Sequence, residues 1–155
     1  MGYTHYWNNA EFTTKQWDAL SKDATALFGH CKMEGILLAE EYDKPNTPPH
    51  IGMECILFNG QGDEGHETFM LEKTPNESNF CKTARKDYDV AVVALLHIAA
   101  YHNPKLIYTS DGEVDELADG VKLGDNIINR FKTGQVIDGV CDELPDLPGL
   151  TLHTK

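Results

Sequence analysis

Three of the chain's 13 cationic residues, Lys82, Arg85 and Lys86, fall within five positions of the stretch "NFCKTARKDYD", just ahead of the apolar run 90–96. The whole chain carries a net charge of −12. A small anion needs only a few donors in one place, and salt screens a distant acidic surface over about 8–10 Å. With a helix expected to begin near Thr83, its unpaired first N–H groups and its dipole add to the three side chains. Phosphate is the natural ligand of such a site. The plainer reading is a solvated first turn neutralised by Asp87 and Asp89, and the phosphate-loop pattern GxxxxGK[ST] is absent. Cys81 stands at the same expected helix start, where a thiol becomes a better nucleophile. The phosphatase pattern CxxxxxR fails because Asp87 follows six residues after Cys81, and a buried, inert thiol is the simpler expectation.

The other chemistry-bearing residues are aromatic or imidazole. In "GYTHYW" a strand sends Tyr3, His5 and Trp7 to one face and Thr4 and Tyr6 to the other. Aromatic rings beside a histidine stack on a planar base and hydrogen-bond its edge. Tyr6, Trp7 or Phe80 would stack, and His5, Asn59 and His66 would fix orientation. Asp111 in "SDG" either meets a ligand hydroxyl or caps the next helix. The bland alternatives are a core aromatic strand with one satisfied His, and a plain turn at Asn59–Gly60. No metal site is expected. His66 and Glu67 point to opposite sides of a strand, and His97 and His102 lie about 140° apart around a helix. HExxH and CxxC are both missing. No cofactor is expected either.

Those residues sit in a chain of 155, long enough for one domain with one core. The acidic balance, 25 Asp and Glu against 13 Lys and Arg, argues against a nucleic acid polymer as partner. No segment reads as membrane-spanning, since the longest apolar run is interrupted at His97. The first residues lack a secretory pattern, and the four cysteines lack disulfide or zinc spacing. A cytoplasmic protein with reduced thiols is expected.

Periodicity predicts the elements that must position the candidates. A strand is expected at about 2–8, then a helix with Trp17, Leu20, Ala24, Leu27, Phe28 and Cys31 on one stripe and a Thr13–Gln16 capping box. "GILLA" reads as a short strand and "EEYDKPNTPPH" as a loop. "GMECILFNG" and "HETFMLEK" read as strands joined by the flexible, glycine-rich "NGQGDEG". The strongest helix is expected from about Thr83 to His102, followed by a strand at "KLIYTS". A weaker last helix carries Gly120 and Gly124, each costing up to about 1 kcal/mol relative to Ala. The expected fold is α+β, β-α-β-β-β-α-β-α, with about five strands in one antiparallel or mixed sheet and about three helices in a single domain over 1–132. An irregular tail over 133–155 is expected to follow.

Taken together, "MGYTHYW", "FNG", "HETF", "FCKTARKDYD" and "SDG" resemble the signature of a family of small uncharacterised proteins of phages, prophages and bacteria. The family commonly has proline where this chain has Asp87, which leaves the start of the following helix less fixed. The loop 40–50 and the chain beyond about Arg130 lie outside the resemblance. Its motifs are rich in His, Lys, Arg, Asn and Asp, which implies one shared pocket rather than a purely structural signature.

The leading expectation is a binding protein for a small phosphorylated, nucleotide-like ligand, with His5, Tyr6, Trp7, Asn59, His66, Phe80, Lys82, Arg85, Lys86 and Asp111 around it. The phage setting implies, by analogy, sequestration of a nucleotide immune signal in the host cytoplasm. A homo-oligomer is left open. One alternative is a phosphoesterase or transferase, with His5 or His66 as acid or base and Cys81 as nucleophile. The other is an acidic interaction protein that blocks a basic partner through "AEEYD", "GEVDELAD" and "CDELPD".

Overall fold

A computed structural model describes residues 3–75 and 79–131. The element order is β1 (Thr4–Trp7), α1 (Thr14–Met33), β2 (Leu38–Ala39), β3 (His50–Ile51), β4 (Cys55–Gly60), a 3-10 turn (Gly62–Glu64), β5 (Phe69–Glu72), β6 (Asn79–Lys82), α2 (Asp89–His102), β7 (Tyr108–Ser110) and α3 (Val114–Ile128). The fold is a single α+β domain, as expected, but its strands form two sheets rather than one. The first sheet has the order β6-β1-β7, antiparallel throughout. The second is built on β4, which pairs with β2, β3 and β5.

Helix α2 is the centre of the core. Ala91 to Leu96, Ile98 and Ala99 are all buried. A helix apolar on nearly every side is stable only when neighbours cover every side. Its neighbours are α1, α3 and the inner face of the first sheet. Burying Leu95, Leu96 or Ile98 contributes about 1.5–3 kcal/mol each. Helix α1 starts with the expected capping box: Gln16 N donates to Thr13 Oγ1 at 3.1 Å, and Thr13 N donates to Gln16 Oε1 at 2.8 Å. The three helices also share one carboxylate. Asp23 on α1 lies 2.6 Å from His102 Nε2 on α2 and 2.7 Å from Arg130 Nη1 just beyond α3.

Gly120 and Gly124, expected to weaken α3, are its contact face. A Cβ at Gly120 would lie 2.5 Å from Val93, and one at Gly124 would lie 2.9 Å from His97. Helix propensity is traded for close approach of α3 to α2.

Three expectations are corrected. Strands β3 and β6 raise the number to seven among the described residues. Segment 79–82 was read as the approach to a helix, yet it is the strand β6, in register with β1 from Thr4↔Lys82 to Trp7↔Asn79. Helix α2 therefore begins at Asp89, not near Thr83. Thr83 N still donates to Tyr3 O at 3.1 Å, extending the ladder one residue further. Ala84 and Arg85 then take φ of 53° and 56°, which no helix can continue through. Lastly, the loop after β4 is not structureless: it carries the 3-10 turn and is bonded at both ends by Asn59. The expected tail at 133–155, with Cys141, lies outside the described residues.

Candidate functional site

The two sheets and the start of α2 divide the ten expected ligand residues into three groups. His5, Trp7 and Asn59 are buried. Tyr6, Phe80, Lys82 and Asp111 are exposed on or beside the outer face of the first sheet. His66, Arg85 and Lys86 border two clefts on either side of the connection between β6 and α2.

The buried group is committed to the protein itself. His5 Nε2 is 2.6 Å from Asp89 Oδ1, and the same oxygen accepts from the hydroxyl of buried Thr83. The Trp7 ring packs on Phe69 with centroids 5.0 Å apart. Asn59 makes four hydrogen bonds. Its Oδ1 accepts from Gly60 N at 2.7 Å and His66 N at 3.0 Å, and its Nδ2 donates to His66 O at 3.1 Å and Thr68 Oγ1 at 3.0 Å. Asn59 thus pins both ends of the loop 60–66. Gly60 and Gly65 approach so closely that a Cβ on Gly65 would lie 2.4 Å from Gly60 O. That closure ties together the ends of the connection whose three glycines led to the expectation of a flexible loop. His5, Trp7 and Asn59, expected as ligand contacts, are buried; the polar groups of His5 and Asn59 are taken up inside, while the buried Trp7 Nε1 has no hydrogen-bond partner among the described residues.

The expected anion site at a helix start is also corrected. The cleft there, of about 260 Å³, is lined by four carboxylates, Asp87, Asp89, Glu116 and Asp119, against two cations, Arg85 and Lys86. A phosphate would meet an excess of like charge there. Arg85 is already engaged: its Nε donates to Glu116 Oε2 at 3.1 Å, and its guanidinium lies 4.0 Å from the Tyr3 ring centroid. The backbone N–H of Glu113 first, and Arg85 second, hold the Glu116 carboxyl below its usual range. Asp111 does not cap α3, which follows Glu113. Its Oδ2 accepts from Thr4 N at 3.1 Å instead.

Cys81 is fully buried on the inner side of β6, its Sγ 3.5 Å from Glu67 O. Burial pushes its thiol up to about 12. This overturns the electropositive helix start that would have activated it, because the helix begins eight residues later.

The second cleft, of about 360 Å³, has a different lining: Tyr42, Asp63, Gly65, His66 and Lys86. That volume lies within the roughly 300–1,000 Å³ of small-molecule sites. Lys86 Nζ donates to Asp63 O at 3.0 Å, so two of the three ammonium protons remain for other acceptors. His66 Nδ1 is 2.9 Å from Lys82 O, and a carbonyl only accepts, so Nδ1 carries the proton. Nε2 is left to accept. Tyr42 is 58% exposed and supplies an aromatic ring. Tyr42 lies in the segment expected from sequence to be a loop and is not among the expected ligand residues. Its one signal was an aromatic residue in an otherwise polar, proline-rich stretch.

Among the described residues no group of three or more His, Cys, Asp or Glu is arranged to hold a metal ion, and no helix is long and apolar enough to cross a membrane. The chain matches no protein-family model, no curated protein and no solved structure.

Proposed function

We propose that the chain binds a small phosphorylated, nucleotide-like ligand in the cleft of Tyr42, Asp63, Gly65, His66 and Lys86. The observation that carries this reading is the convergence of an ammonium and an imidazole, from separate segments, beside an exposed aromatic ring. The phosphate is met by Lys86 Nζ, and His66 Nε2, with the ring proton on Nδ1, accepts a hydrogen bond from a hydroxyl of the ligand. The base stacks on Tyr42. Asn59 serves as a positioning residue, since two of its four hydrogen bonds hold the backbone of His66 in place. The resemblance to phage proteins extends the reading to sequestration of a nucleotide immune signal in the host cytoplasm.

Binding is favoured over turnover by where the reactive groups lie. The phosphoesterase alternative needs Cys81 or His5 to reach the ligand. Cys81 is buried and protonated at neutral pH. His5 is buried against Asp89 on the far side of β1 from solvent.

Calorimetry with mono-, di- and cyclic nucleotides and inorganic phosphate tests the proposal, with the heat-released ligand then identified by mass spectrometry. The expected result is one nucleotide class bound and recovered intact. Lys86→Ala weakens it about tenfold, as expected for a lost charge-assisted hydrogen bond, and His66→Ala weakens it about threefold to tenfold, as for a lost neutral one. Arg85→Ala changes it less than about twofold, since Arg85 serves Glu116 and Tyr3. Unchanged binding in Lys86→Ala and His66→Ala, or no binding at all, overturns it. An altered ligand gives the reaction to an enzyme.

A further inference from the structure

The outer face of the β6-β1-β7 sheet takes no part in the proposed cleft. We infer that it is a self-association surface, occupied by the same face of a second copy of this chain.

The strand register sets the arrangement. Residues directly opposite in a sheet share a face, and alternate residues along a strand share one too. Phe80, Tyr6 and Thr109 therefore form one outward row across the three strands, from Phe80↔Tyr6 and Tyr6↔Thr109. Tyr6 is 44% and Phe80 48% exposed, and Ile107, two residues before Thr109, is 65% exposed. One step along the strands, Lys82 lies opposite Thr4 on one side. Asp111 lies beside Thr4 on the other, its N donating to Thr4 O at 2.9 Å. Both charged side chains are exposed, and neither forms a salt bridge among the described residues.

This places one cation and one anion on either side of the central strand, each one strand spacing of about 4.8 Å away. A two-fold rotation about a line along β1 exchanges the two sides. Lys82 of one copy then faces Asp111 of the other, and Asp111 faces Lys82, while Tyr6 meets Tyr6 and Phe80 meets Thr109. The face is complementary to itself in charge, as a two-fold interface must be. A polyanionic or polycationic partner would meet one repelled charge wherever it met one attracted. Sheets packed face to face sit about 10 Å apart, a gap that aromatic rings and long side chains fill. The face is small, so the dimer is a weak one.

Sedimentation velocity and native mass spectrometry on the full chain test this. The parent should pass from 17.3 kDa to twice that mass as concentration rises. Lys82→Glu and Asp111→Lys should each raise the dimer dissociation constant by about tenfold or more, because each puts like charges face to face. An equimolar mixture of the two should form a heterodimer, since Glu and Asp on one copy then face two lysines on the other. Asp111→Lys also removes the bond to Thr4 N. Should it fail to fold, Tyr6→Glu, at an exposed position, is expected to be folded and monomeric. A parent that stays monomeric at about millimolar concentration overturns the inference. So does a dimer that survives both Lys82→Glu and Tyr6→Glu, or two folded monomeric variants that fail to pair on mixing. A parent that stays monomeric while nucleotide quenches its Tyr6 signal assigns the face to a planar ligand and likewise overturns pairing.

Discussion

His5 Nε2 and Asp89 Oδ1 lie 2.6 Å apart and join the central strand of one sheet to the first turn of the central helix. The two residues are 84 positions apart in the chain. His5 is 1% and Asp89 16% exposed at the side chain, so water does not readily substitute for either partner. Thr83 adds its hydroxyl to the same carboxylate. The polar signature residues His5, Thr83 and Asp89 thus form a connection between layers.

Breaking that connection should cost stability rather than ligand affinity. His5→Ala and Asp89→Ala are each expected to lose about 1–3 kcal/mol, as when a buried hydrogen-bonding group is left without its partner. The double variant should lose less than the sum. Urea unfolding of the four proteins completes the cycle. Additive losses would mean that the two residues act independently.

Gly120→Ala separates helix propensity from packing. In an isolated α3 peptide the substitution should raise helicity, by about 1 kcal/mol in favour of Ala. In the protein it should lower the melting temperature, because the new Cβ would lie 2.5 Å from Val93. A more stable protein would show that α3 shifts freely away from α2.

The loop 60–66 should open when its clamp is removed. Asn59→Ala leaves the backbone N–H of His66 and of Gly60 without their acceptor, costing about 1–3 kcal/mol. Hydrogen exchange over 60–66 should rise more than over α1 or α2. Nucleotide affinity should fall with it, because His66 is no longer held. Exchange equal to that of the parent would show that the glycines alone close the loop.

Alkaline pH should unfold the protein through its buried thiols. The Cys31 and Cys81 thiols are both pushed up from 9.0 to about 12, by burial above all. Burial likewise raises Tyr88, fully enclosed in the core. The unfolded chain releases these protons first, so it is favoured as pH rises. Stability from these groups is therefore fully present below about pH 9 and is lost as pH rises through about 12. Urea midpoints between pH 7 and 11 check the sign. At pH 8 an alkylating reagent should modify partly exposed Cys55 before Cys31 or Cys81.

Local chemistry made much of the fold legible. The Thr13–Gln16 box and the stripe from Trp17 to Cys31 specify α1 by contacts within a few residues. The apolar run 90–96 announces a helix that must be buried, and it is. The alternation of "THYW" assigns His5 and Trp7 to one face and Thr4 and Tyr6 to the other; His5 and Trp7 are buried and Tyr6 is exposed, while Thr4 is buried as well. Composition likewise sufficed for an acidic, single-domain chain, and periodicity for its α+β class. What escaped depends on partners far away in sequence. Strand β6 exists because β1, more than 70 residues earlier, offers it a ladder, and that ladder moves the start of α2 from Thr83 to Asp89. Gly120 and Gly124 read as helix weakeners until α2 lies against them. The three cations 82–86, adjacent in sequence, are sent apart: Lys82 to the sheet face, Arg85 to Glu116 and Tyr3, and Lys86 to a cleft completed by Tyr42 and His66. Residue type states which chemistry a side chain is capable of. Only the packing of distant segments decides which groups are buried against one another and which are left free for a ligand, because burial and hydrogen-bond partners are set by the whole fold.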